Sequence, residues 1–111
     1  MFEAKYEQIF VEEKLMKQID LFWEYFVEEE EKLISSLYKK DREYMLYFEK
    51  QLEQVFYRSK NKLCYTFKKE NDTIVFTLFF GRSSYLLTVG NELFASKSKK
   101  LNNKWSFILI K

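Results

Sequence analysis

Any chemistry in this chain would fall to carboxylates, amines and phenols, because it has no histidine and one cysteine, Cys64. The densest carboxylates are Glu28-Glu29-Glu30-Glu31, with Glu24 one helical turn earlier. On a helix, Glu24, Glu28 and Glu31 line one edge, and paired carboxylates can hold a cation or move a proton. No convergent ligand set accompanies them, and Lys32 can pair with Glu28 at i,i+4, so a solvated face is the default. An acidic helix edge also suits a basic partner, which makes Glu24, Glu28 and Glu31 candidate partner-binding residues. Cys64 has no histidine to activate it and reads as a small hydrophobe. With no proline and two glycines there is no phosphate-cradling loop either. No catalytic residue, cofactor or metal is expected.

A second group is basic. Lys97, Lys99, Lys100 and Lys104, with Arg82, mark a cationic end near Trp105, and cations with stacking aromatics are how single-strand binders work. A nucleic-acid-associated module is therefore the alternative reading. It is not the favoured one: the net charge is only +2, too small for a strong pull toward phosphates, and most aromatic residues recur at core spacing. The charge is polarised, with 10 basic against 14 acidic residues over positions 1–60 and 9 against 3 over 61–111. Such a surface steers a charged partner.

A third group is apolar. Ile74-Val75-Phe76-Thr77-Leu78-Phe79-Phe80 shows apolar residues on both faces of a strand. If helices cover one face, Val75 and Phe79 join Ile108 and Ile110 in an exposed patch, the pattern of an interface to a partner or to a second copy.

The elements that place these groups change near residue 61. Before it, Tyr6, Ile9, Met16, Ile19, Trp23, Phe26, Leu33 and Leu37 follow helical steps. One unbroken helix over 3–38 would span about 54 Å, too long for a compact chain, so a break is expected near 17–20 with Asp20 as N-cap. Residues 1–19 would then be a helical extension of a single domain, 1–111. Asp41 opens the next helix, over roughly 41–59, with Tyr44, Met45, Phe48, Leu52, Val55 and Phe56 inward. From Lys62 the period becomes two. Leu63, Tyr65 and Phe67 alternate with Cys64, Thr66 and Lys68; Glu70-Asn71-Asp72 turns into a second strand, 73–80, a hairpin. Tyr85–Val89 reads as a third strand ended by Gly90-Asn91, with a helical turn around Leu93-Phe94. Lys104–Ile110 reads as a fourth, with Trp105, Phe107 and Leu109 on one face. The expected fold is α+β: two or three N-terminal helices packed on one face of a four-stranded, mostly antiparallel sheet.

A lone cysteine excludes an intramolecular disulfide and suits a reducing interior. The opening residues lack a signal-peptide pattern, and no apolar run approaches the ~20 residues that span a bilayer. A cytoplasmic protein without membrane contact is expected.

At Phe22-Trp23-Glu24-Tyr25-Phe26, followed by Glu29 and Glu30, the chain resembles a group of small uncharacterised bacterial proteins. They open with a glutamate-rich F-W-x-x-F helix and end in a strand starting with tryptophan, here Trp105. The resemblance covers roughly residues 20–111 and implies the same helix–helix–sheet order, with no activity attached. The sequence thus points to a non-enzymatic bacterial protein-binding domain, with a protein partner or a homodimer as its complex. A toxin-neutralising immunity protein is the specific version, by analogy of class.

Overall fold

A bend at Glu29, rather than a break at 17–20, divides the first helical stretch. The computed structural model describes the backbone of residues 2–111 and the side chains of residues 13–111. It runs α1 (Phe2–Glu28), α2 (Glu30–Lys39), α3 (Arg42–Val55), β1 (Cys64–Glu70), β2 (Thr73–Phe79), α4 (Ser84–Ala95) and β3 (Trp105–Ile110). Asp20 lies inside α1 and caps nothing. Leu15 and Ile19 belong to the same buried cluster as Trp23 and Phe26, so residues 13–19 are continuous with the rest of α1 and not a separate extension. Met16, placed on the apolar stripe by its spacing, is exposed; the inward face instead runs through Leu15, Ile19, Phe22, Trp23 and Phe26. Tyr6 and Ile9 lie outside the residues whose side chains are described.

The other predicted helix boundary holds. α2 ends on Lys40, which adopts the left-handed conformation (φ 56°), and Asp41 N–H donates back to Ser36 O at 3.0 Å. Asp41 then caps α3 by accepting from Tyr44 N–H at 3.1 Å, satisfying one of the free amides of a first turn.

The sheet differs from expectation in count and direction. Among the described residues it has three strands, in the order β1-β2-β3. β1 and β2 form the predicted antiparallel hairpin, Glu70 opposite Thr73, with Asn71 at positive φ in the turn; asparagine tolerates that conformation. β3, however, runs parallel to β2, Ile74 beside Trp105 and Phe79 beside Ile110. The segment read as a third strand, Tyr85–Val89, is the first half of α4. Its start is set by Ser83, whose Oγ accepts from Leu86 N–H at 3.1 Å. A helix here carries the chain back to the start of β2, the crossover that parallel strands require. Gly90 lies inside that helix instead of ending a strand. A Cβ there would stand 2.9 Å from Leu109 Cδ1 and 3.4 Å from Leu78 Cδ2, so glycine lets α4 approach the sheet.

Side chains alternate across the strands. Phe67, Tyr65, Ile74, Phe76, Leu78, Trp105, Phe107 and Leu109 point to the helical side and join the core with Phe22, Trp23, Phe26, Phe48 and Leu93. Three N-terminal helices and α4 contribute to this one layer, as the α+β reading requires. Both indole N–H groups are used as ties. Trp23 Nε1 donates to Leu93 O at 2.9 Å, joining α1 to α4, and Trp105 Nε1 donates to Glu30 Oε2 at 2.6 Å, joining β3 to α2.

Two stability outcomes follow. Ser83→Ala removes the α4 cap and should destabilise the protein by about 1 kcal/mol, read as a lower urea midpoint at unchanged slope. Trp105→Phe keeps the ring packing but strips a half-buried carboxylate of one of its two donors, Asn102 N–H remaining, a loss of about 1 kcal/mol; pairing it with Glu30→Leu should recover part of that loss in a double-mutant cycle, and strict additivity would show that the two side chains do not act together.

Candidate functional site

The register assembles the apolar residues that the sequence grouped. On the face turned from the helices, Lys68, Val75 and Ser106 form one row across the strands; Thr66, Thr77 and Ile108 form the next, and Cys64, Phe79 and Ile110 the third. Ile108 and Ile110 are 40% and 41% exposed. Phe79 is half-buried, and Val75, expected in the exposed patch, is buried at 7% exposure though it stands outside the main core cluster. Val75, Phe79, Ile108 and Ile110 therefore share a single outer sheet face, centred on the β2–β3 pair, with threonine and serine between the apolar groups.

The acidic residues are placed elsewhere, on the helical layer. Glu24 and Glu28 are exposed and flank a shallow recess that also contains Trp23, Val27 and Lys100. Glu31 lies past the bend, on α2. The helical edge expected of Glu24, Glu28 and Glu31 is interrupted at Glu29, and the Lys32–Glu28 pair does not form: among the described residues the ion pair within 4 Å is Lys68–Glu70, at 3.7 Å. The predicted site is thus two surfaces on opposite layers.

The bend gives the glutamate run a role its spacing did not announce. Glu29 Oε1 accepts from Tyr44 Oη and its Oε2 from Tyr47 Oη, both at 3.4 Å, while the Tyr25 and Tyr44 hydroxyls lie 3.2 Å apart. The neighbouring carboxylate, Glu30, turns the other way, to Trp105 and to Asn102 N–H at 3.3 Å. Adjacent residues on a helix point about 100° apart, so one acidic pair reaches both α3 and β3. Two of the four glutamates are structural clamps rather than a solvated face. Three tyrosines around one carboxylate were findable from sequence only by knowing that α3 lies against the bend.

The basic group does not gather. Lys97, Lys99, Lys100 and Lys104 precede β3 at the end where β2 begins, whereas Arg82 follows β2 at the opposite end of the sheet. Trp105, the expected stacking residue, packs edge-on against Phe26 with centroids 4.8 Å apart and is 9% exposed. Cys64, expected to be buried, is exposed, because it opens β1 on the outer face. It borders a cleft of about 770 Å³ between α3 and β1, whose wall includes Met45, Leu46, Leu63 and Tyr65. Among the described residues no three of the His, Cys, Asp and Glu side chains gather as a metal site would require, and no helix is long and apolar enough to cross a membrane.

Burial shapes the phenols. Loss of hydration raises the Tyr25 hydroxyl far above its ordinary value, helped by Tyr44 and by the charge of Glu29, and raises Tyr44 in the same direction. Tyr65 is pushed up to about 12, first by burial and then by Glu49 and Glu53. Each folded-state value lies above the unfolded one, near 10. The stability tied to these groups is then fully present below about pH 10 and is lost as pH rises beyond it, since the unfolded chain releases protons first. Alkaline titration should show unfolding above about pH 10, with tyrosinate absorbance lagging until the fold opens; Tyr25→Phe should lessen that alkaline sensitivity, and an unchanged profile would remove Tyr25 as its source.

Comparison with known protein families, curated proteins and solved structures finds no match for this chain.

Proposed function

We propose that this chain is a non-enzymatic protein-binding domain that docks a protein partner on the outer face of its sheet, in the manner of a toxin-neutralising immunity protein of a bacterial cytoplasm. The observation that carries the reading is the apolar group on that face, Phe79, Ile108 and Ile110, with both isoleucines about 40% exposed; Val75 shares the face but is buried. Every described helix that joins the core packs on the other face, which supports a reading of this one as a surface for association. Threonine and serine between the apolar side chains fit an interface that is wetted in the free protein. The acidic recess at Glu24 and Glu28 lies on the opposite layer and is no part of this face's rim; its charge acts on encounter at a distance.

The non-enzymatic part rests on what is missing and on what is already engaged. The chain has no histidine, and the half-buried carboxylates of Glu29 and Glu30 hold tyrosines and a tryptophan in place. The nucleic-acid alternative has lost its stacking residue to the core and its cations to two ends of the sheet.

The test is a double variant, Ile108→Glu with Ile110→Glu. Both positions are exposed, so the melting temperature should change little. Coexpressed with a toxin encoded beside its gene, the wild-type chain should restore growth and coelute with that toxin, and the variant should do neither. Full binding by a folded variant would move the interface off this face, and substrate turnover abolished by Glu24→Gln would replace the reading with an enzymatic one.

A further inference from the structure

The open edge of β1 borders the cleft beside α3. Among the described residues β1 is hydrogen-bonded to β2 alone, so along its other side alternate backbone N–H and C=O groups lack a strand partner there. Charges that discourage strand addition, Lys68, Lys69 and Glu70, all sit at the far end of this edge. The stretch nearest the cleft, Cys64-Tyr65-Thr66-Phe67, carries none. From α3, Arg42, Met45, Leu46 and Glu49 recur at steps of three and four and face the same cleft. Leu46 is 59% exposed, an apolar side chain with little cover beside an unpaired strand.

The cleft's charge is unbalanced. Lys40, Arg42 and Lys62 all contribute to its lining. Against these three cations the lining sets two carboxylates, Glu49 and Asp41, the cap of α3, so one cation is in excess. A volume of about 770 Å³ is in the range of a site for a compact ligand or a few residues of peptide.

We infer that this cleft takes an extended, acidic peptide segment of a partner protein, added to the edge of β1 as a fourth strand. Backbone pairing along Cys64–Phe67 would give affinity, and every second peptide side chain would turn into the apolar wall at Met45, Leu46 and Tyr65. A carboxylate at one end of the segment sits beside Lys40, Arg42 and Lys62. A second copy of the chain fits less well, because antiparallel pairing of β1 with β1 would bring Lys62 of one copy toward Lys68 and Lys69 of the other, and like charges across strands repel. This surface is distinct from the outer sheet face, and it stands whether or not that face binds.

The test uses the isotopically labelled full chain and a pool of peptides of about eight residues, with alternate positions drawn from valine, isoleucine, leucine and phenylalanine and two aspartates at the end. Backbone amides of Cys64–Phe67 should shift and exchange more slowly. Replacing the two aspartates by lysines should weaken binding about tenfold or more, and proline at the central positions should abolish it, since proline has no N–H to donate. The variant Arg42→Glu with Leu46→Ser alters two exposed residues and should keep its melting temperature while losing the peptide. The Ile108→Glu, Ile110→Glu variant should bind the peptide as the wild type does, which separates this site from the outer face. No shift at Cys64–Phe67, shifts confined to the outer face, or shifts that follow protein concentration without peptide would each overturn the inference.

Discussion

The contact between Phe48 and Phe76 joins the two layers of this fold, and the rest is arranged around it. Phe48 is fully buried on α3 and Phe76 fully buried on β2, with ring centroids 5.8 Å apart at a steep angle. Phe48 also meets Phe22, Tyr25 and Phe26 on α1, and Phe76 meets Phe67, Phe94 and Phe107. Edge-to-face pairs of this kind add to the stabilisation from area burial alone. A chain with one aromatic residue in five has used most of them here, which is why the aromatic content is a statement about packing before it is one about binding.

A core built on one side of a three-stranded sheet has a necessary counterpart. The opposite side must be polar or must meet something, and this chain made it half apolar. The glutamate run shows the same division of labour within a single turn of helix. Glu29 and Glu30 are turned inward as acceptors for phenols, an indole and a backbone amide, while Glu24, Glu28 and Glu31 remain at the surface. Identical residues in sequence thus have different duties because a bend between α1 and α2 sends neighbouring side chains to different elements.

What the sequence made legible was whatever depended on local periodicity. The Asp41 cap, the α3 core positions, the β1–β2 hairpin and the shared face of Trp105, Phe107 and Leu109 follow from spacing and turn chemistry, though Glu70, read as part of the turn, belongs to β1 and pairs with Thr73. Position 29 was missed because neither proline nor glycine marks it; the bend is defined by the contacts that Glu29 and Glu30 make with distant elements. Residues 84–95 were misread because Tyr85, Leu86, Leu87, Thr88 and Val89 have strand propensity and Gly90 resembles a stop. The correct signal was there: Ser83 as a cap and Leu86, Val89, Gly90, Leu93 at helical steps. With that segment a helix, the last strand had to be parallel. The grouping of Val75, Phe79, Ile108 and Ile110 was readable because alternation fixes faces whether β3 runs up or down. The cleft beside β1 was not, since it depends on how α3 lies across the sheet.

The parallel pairing of β2 with β3 also orders events in time. The hairpin of β1 and β2 closes over a two-residue turn, whereas β3 can pair only after α4 and the following loop have brought it back across the sheet. Closing that larger loop costs more chain entropy, and non-local pairings of this sort slow folding. In the interval, one side of β2 has no strand beside it, and its run from Ile74 to Phe79 is the most apolar segment of the chain to be left so. The same strand that organises the finished core is then, before β3 docks, the point at which encounters between unfinished chains are hardest to reverse.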